Sequence, residues 1–131
     1  MPTTLKVRDE TTGGKTTNEF SLEFLTERVT VRELIRSRVY QEVQDFNREC
    51  GGLFRGLVQP TGAEQVLNGF RFSKPRQIDW KAQLDQAVAA FEAGRILIIM
   101  DDTQAGSLDD EIELRADTDV AFLRLMPLVG G

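Results

Sequence analysis

The chain opens with alternation. Leu5-Lys6-Val7-Arg8 and Phe20-Ser21-Leu22-Glu23-Phe24 each alternate apolar and polar positions, the period-two pattern of a strand with one face in a core. Between them, Thr11-Thr12-Gly13-Gly14-Lys15-Thr16-Thr17 is rich in turn residues. The two runs predict an antiparallel hairpin whose loop is longer than the tight two-residue kind. The period then changes. Thr30-Val31-Arg32-Glu33 has the form of a capping box, in which hydroxyl and carboxylate satisfy free N–H groups at a helix start. Ile35, Val39, Val43 and Phe46 follow at spacings of four, four and three. That predicts a helix over 31–48, stopped by Gly51-Gly52.

Residues 51–78 are punctuated by Gly51, Gly52, Gly56, Pro60, Gly62, Gly69 and Pro75, with Leu53, Phe54, Leu57, Val58, Val66, Leu67, Phe70 and Phe72 between them. Those apolar residues predict an ordered insert with short turns and a helical turn at 62–68. Asp79 can cap a second helix starting at Trp80. Leu84, Val88 and Phe91 lie on one face of that helix, and Gly94 stops it. Ile96-Leu97-Ile98-Ile99-Met100 is a continuous apolar run and predicts a central strand ended by Asp101-Asp102. A short strand at Ile112 and Leu114, a turn at Ala116–Asp119 and a last strand from Val120 to Met126 complete the pattern. Hairpin, long helix and closing strands predict an α+β fold in which a mixed sheet covers one helix.

Composition narrows the function. The chain has 131 residues and 40% apolar residues, which suits a single domain, 1–131. Its net charge of −5 argues against non-specific nucleic-acid binding. One cysteine, Cys50, excludes an internal disulfide and suits a reducing, cytoplasmic setting. No apolar stretch is long enough to predict a membrane span, and Met1-Pro2-Thr3-Thr4 lacks the pattern of a signal peptide. There is no histidine. That removes the commonest general base and the commonest metal ligand, so neither a metal site nor a cofactor is expected. The expectation is a binding or carrier protein and not an enzyme.

The last twelve residues carry the chemistry: Val120-Ala121-Phe122-Leu123-Arg124-Leu125-Met126-Pro127-Leu128-Val129-Gly130-Gly131. A strand runs out through Pro127 and ends on two glycines. With the hairpin–helix start, this resembles the ubiquitin-like β-grasp family: ubiquitin, its bacterial relatives, and the sulfur carriers of molybdopterin and thiamine synthesis. The resemblance covers Leu5–Phe46 and Ile96–Gly131, including an acidic turn at Ser107-Leu108-Asp109-Asp110, or about three fifths of the chain. The segment from about 47 to 95, with its second helix, is an insert into the minimal fold, and 127–131 is the tail.

The resemblance implies that Gly131, preceded by Gly130, is the reactive residue. An ATP-dependent activating enzyme adenylates its carboxylate, and the acyl group passes on to a target protein. Glycine suits this because a backbone without Cβ can approach closely in a narrow channel. Pro127, Leu128 and Val129 would be the tail that the enzyme contacts. A conjugating enzyme and a deconjugating protease are further implied partners. With no residues beyond Gly131, activation would need no processing protease. Three readings follow: a protein modifier, favoured because the chain is longer than a minimal carrier; a sulfur carrier with Gly131 as thiocarboxylate; and a non-catalytic interaction module.

Both faces of the last strand are apolar, with Val120 and Phe122 on one and Ala121, Leu123 and Leu125 on the other. One face meets the helix. The other, with Leu123, Leu125 and Met126, is either a docking surface or is covered by the insert. Gly14-Lys15-Thr16 matches the end of a phosphate-binding loop, but Asp9 stands where that pattern needs glycine, and a strand pattern follows. Asp101, Asp102, Asp109, Asp110, Glu111 and Glu113 lack the spacing of a calcium loop and predict a solvated acidic rim.

Overall fold

The structure, a computed structural model, describes residues 3–11, 14–49, 53–54, 56–60, 62–66, 69–72, 77–115 and 117–125. Among these, the elements in chain order are β1 (Thr3–Glu10), β2 (Thr16–Phe24), β3 (Arg28–Thr30), α1 (Val31–Glu49), β4 (Leu53–Phe54), β5 (Glu64–Val66), β6 (Gly69–Arg71), α2 (Trp80–Glu92), β7 (Ile96–Met100), β8 (Thr103–Gln104), β9 (Glu111–Glu113) and β10 (Asp119–Arg124). The fold is α+β with a mixed sheet. Its backbone divides into two compact units, Met1–Leu34 with Ala90–Gly131, and Ile35–Ala89.

The first unit is built on a five-stranded sheet ordered β2-β1-β10-β7-β8. The hairpin of β1 and β2 is antiparallel, with Leu5 opposite Leu22 and Val7 opposite Phe20. Gly14 closes its loop at φ 85°, where Gly14 N–H donates to the Thr11 carbonyl and Thr11 N–H to the Lys15 carbonyl. A hairpin loop, not a phosphate cradle, is therefore what Gly14-Lys15-Thr16 makes. β10 lies parallel to β1 from Lys6/Asp119 to Glu10/Leu123, and antiparallel to β7. Leu5, Val7, Ile98, Val120 and Phe122 share one side and are at most 2% exposed. Burying each such side chain contributes about 1.5–3 kcal/mol.

The β7–β8 connection is a two-residue turn. Asp101 and Asp102 both take positive φ, 47° and 68°, as a type I′ turn requires. Asp is among the few residues that tolerate this region. Asp101 is held there by its own carboxylate, which accepts from Asp119 N–H at 2.9 Å.

A second, two-stranded sheet pairs β3 with β9, placing Val29 opposite Ile112, both buried. Beside it the capping box forms as its residues predict. Thr30 N–H donates to Glu33 Oε1 and Glu33 N–H to Thr30 Oγ1. The two intervening donors, Val31 N–H and Arg32 N–H, reach the carbonyls of Asp110 and Leu108. All four N–H groups that open α1 are thus satisfied. Asp110 also folds its own turn, accepting from Ser107 N–H at 3.0 Å.

The second unit holds the rest of α1, the antiparallel sheet β4-β6-β5, and most of α2. The helical turn expected at 62–68 is instead strand β5, whose Glu64–Val66 pair with Gly69–Arg71 of β6. Cross-strand pairing outweighs the weak helix preference of Ala63-Glu64-Gln65. Gly69 is required where it stands: at φ 154°, a Cβ would lie 2.6 Å from the Phe54 carbonyl oxygen. Phe46 of α1 meets Phe54 edge-on at 5.5 Å.

Helix side chains bind the loops of this unit. Glu42 accepts from Leu57 N–H at 3.2 Å and from Arg38 Nε at 3.3 Å. Asn47 makes two bonds to the backbone of Ile78, and Gln83 donates to the Val58 carbonyl. Asp79 caps α2 through Lys81 N–H at 3.1 Å. In the first unit, Gly94 at φ 77° stops α2 with paired bonds from Gly94 N–H to Phe91 and Arg95 N–H to Ala90. That is the Schellman arrangement. Cys50 and the expected stop at Gly51-Gly52 lie outside the described residues.

Candidate docking face and tail

Side chains alternate along a strand, and residues paired across strands share a side. The register therefore sorts the five-stranded sheet into two faces. The core face carries Val7, Val120, Phe122 and Ile98. The opposite face carries Lys6, Arg8, Ala121 and Leu123, with Ile99 opposite Ala121 and Leu97 opposite Leu123.

That opposite face is divided by chemistry. Its β2–β1 half is polar: Thr4, Lys6, Glu19, Ser21 and Glu23 are all exposed. Its β10–β7 half is apolar: Leu97, Ile99 and Leu123 are half-buried, and Leu125 is 36% exposed. Leu125 N–H donates to the Arg95 carbonyl at 2.8 Å, which carries the ladder one residue beyond β10. The result is an apolar stripe that follows the last strand toward the tail.

Arg8 borders the stripe. It shares a side with Ala121, which is 1% exposed. Its guanidinium pairs with Asp119 and with Glu10. Those hydrogen bonds, Asp119's foremost, raise its pKa further above the ordinary arginine value. Arg8, held between two carboxylates, marks where the polar and apolar halves meet.

Of the residues expected to act, Leu123 and Leu125 stand on this stripe. Met126, Pro127, Leu128, Val129, Gly130 and Gly131 lie outside the described residues. Leu97 and Ile99 belong to the face and were missed, because Ile96–Met100 reads as a strand buried on both sides. Only Ile96 and Ile98 are buried. Had the two apolar faces of β10 been extended to its neighbour, the pattern would have marked both residues.

The acidic positions have separate duties. Asp109 faces Arg32 at 3.6 Å, Glu111 faces Arg28 at 4.0 Å, Asp110 shapes its turn and Asp101 its own. No group of acidic, cysteine or histidine side chains suited to a metal ion occurs among the described residues. No described helix is long and apolar enough to cross a membrane.

No protein-family model, curated protein or solved structure matches this chain.

Proposed function

We propose that this chain is a ubiquitin-like protein modifier of the β-grasp class that acts in the cytoplasm. Its Gly131 carboxylate is activated by an ATP-dependent partner and joined to a target protein. The observation that carries the reading is the course of β10. It runs parallel to β1, inside a sheet opened by the β1–β2 hairpin, and heads into a sequence that ends Leu128-Val129-Gly130-Gly131. The apolar stripe of Leu97, Ile99, Leu123 and Leu125 supports it, as a surface on which an activating enzyme docks beside the tail.

The chemistry follows from the carboxylate. As an anion it is a poor acyl donor. One carboxylate oxygen of Gly131 attacks the α-phosphorus of ATP, and pyrophosphate leaves. The acyl-adenylate is then attacked by a thiol or amine, and AMP leaves. With no histidine in the chain, the proton transfers fall to the partner enzymes.

The test reads the product in the organism that makes the protein. Arg124 is the last basic residue before Gly131, so trypsin leaves Leu125–Gly131 on any modified amine. Finding that remnant on lysines of other proteins supports the reading. A protein isolated with sulfur in place of one terminal oxygen, and no such remnant, would make it a sulfur carrier instead.

A further inference from the structure

Within the second unit, α1 and α2 bring together three side chains of different chemistry. Arg36 and Tyr40 stand one turn apart on α1, and Trp80 opens α2. Tyr40 meets Trp80 edge to face, with centroids 5.3 Å apart and planes at 88°. The Arg36 guanidinium carbon lies 5.7 Å from the centre of the Trp80 ring. The contact is open to solvent: Tyr40 is 46% exposed, Arg36 is exposed and Trp80 is half-buried. Trp, Tyr and Arg are the residue types that dominate binding hot spots.

The guanidinium decides the ligand. α1 carries four arginines. Arg32 pairs with Asp109, Arg38 with Glu42 and Arg48 with Asp45. Arg36 alone has no carboxylate among the described residues, and its one recorded partner is the Trp80 ring. A guanidinium carries five N–H donors in a planar fork that fits a carboxylate. The carboxylate next to Trp80 in sequence, Asp79, is engaged in capping α2. The next charged residues on α2, Lys81 and Asp85, are both exposed.

We propose that Arg36, Tyr40 and Trp80 form a docking site for an acidic peptide segment of a partner protein. A carboxylate of the segment bonds the Arg36 fork, and an adjoining apolar side chain lies against Tyr40 and Trp80. The cluster offers one guanidinium beside two rings, which suits a carboxylate next to an apolar side chain and not the run of cations that a phosphate backbone calls for. A lone carboxylate feels chiefly the cation it touches, because screening limits more distant charges to about 8 Å at physiological salt. The site is separate from the Gly131 chemistry and does not depend on it.

Trp80 is the chain's only tryptophan, so its emission reports the site directly. The full chain is titrated with an acetylated, amidated peptide, Glu-Asp-Phe-Glu-Asp, which does not emit in the same range. The expected result is a saturable change in emission that Arg36→Gln weakens about tenfold. Arg36→Lys, which keeps the charge but loses the fork, should fall between. The same peptide with lysine at its acidic positions should not bind. Circular dichroism checks that each variant is folded. Three results overturn the proposal: no saturable change by about 1 mM, equal binding by folded Arg36→Gln, or tighter binding of a thymidine oligonucleotide. None of them bears on Gly131, whose test is the trypsin remnant.

Discussion

Glu42 is the position where a single change tells most about the second unit. Its carboxylate is 12% exposed and faces Arg38, whose side chain is 0% exposed, at 3.3 Å. It also accepts from Leu57 N–H at 3.2 Å. Replacing Glu42 with Ala leaves a buried guanidinium without this counter-ion and a backbone donor without this acceptor. Breaking a buried pair from one side costs about 3–5 kcal/mol. Arg38 keeps other interactions, which places the expected loss at about 3 kcal/mol. That is a large part of the 5–15 kcal/mol typical of a domain. Urea unfolding followed by circular dichroism should show the midpoint falling by about 2 M, and hydrogen exchange at Leu57 should accelerate. Arg38→Met with Glu42→Gln removes both charges and keeps an acceptor for Leu57, so it should recover more than half of the loss. If Glu42→Ala costs less than about 1 kcal/mol, the pair is no clamp and its burial has been misread.

Other changes probe other parts of the account. Thr30→Ala removes the hydroxyl that accepts from Glu33 N–H and should cost about 1 kcal/mol in urea unfolding. Gly69→Ala sets a Cβ 2.6 Å from the Phe54 carbonyl oxygen. It should destabilise by about 2 kcal/mol or more, seen as a lower unfolding midpoint. Leu125→Glu alters an exposed residue of the apolar stripe. It should change stability by no more than about 0.5 kcal/mol, yet sharply reduce the trypsin remnant recovered from cells when that remnant is sought at the mass the substitution gives it.

The sequence carried the local architecture well where a single mechanism governs it. Thr30 and Glu33 form the box their spacing predicts, Asp79 caps α2, and Gly94 ends it. These devices depend on residues within a few positions of one another. Long-range pairing was less legible. β3 is three residues long and takes its identity from β9, more than eighty positions later. Strand β5 likewise owes its form to β6 and not to its own residues. The docking face shows the same divide. Leu123 and Leu125 follow from the alternation in β10, whereas Leu97 and Ile99 join them only through the β10–β7 register. The Arg36–Tyr40–Trp80 cluster needed two helices to be set side by side, and no spacing along one helix announces it.

The most direct measurement is a search for the Leu125–Gly131 remnant in trypsin digests of the host's proteins, with a strain lacking Gly130-Gly131 as control. The account predicts the remnant in amide linkage to lysines of other proteins, and its loss in the truncated strain. A digest in which Leu125–Gly131 appears only as a free, unmodified peptide would contradict it.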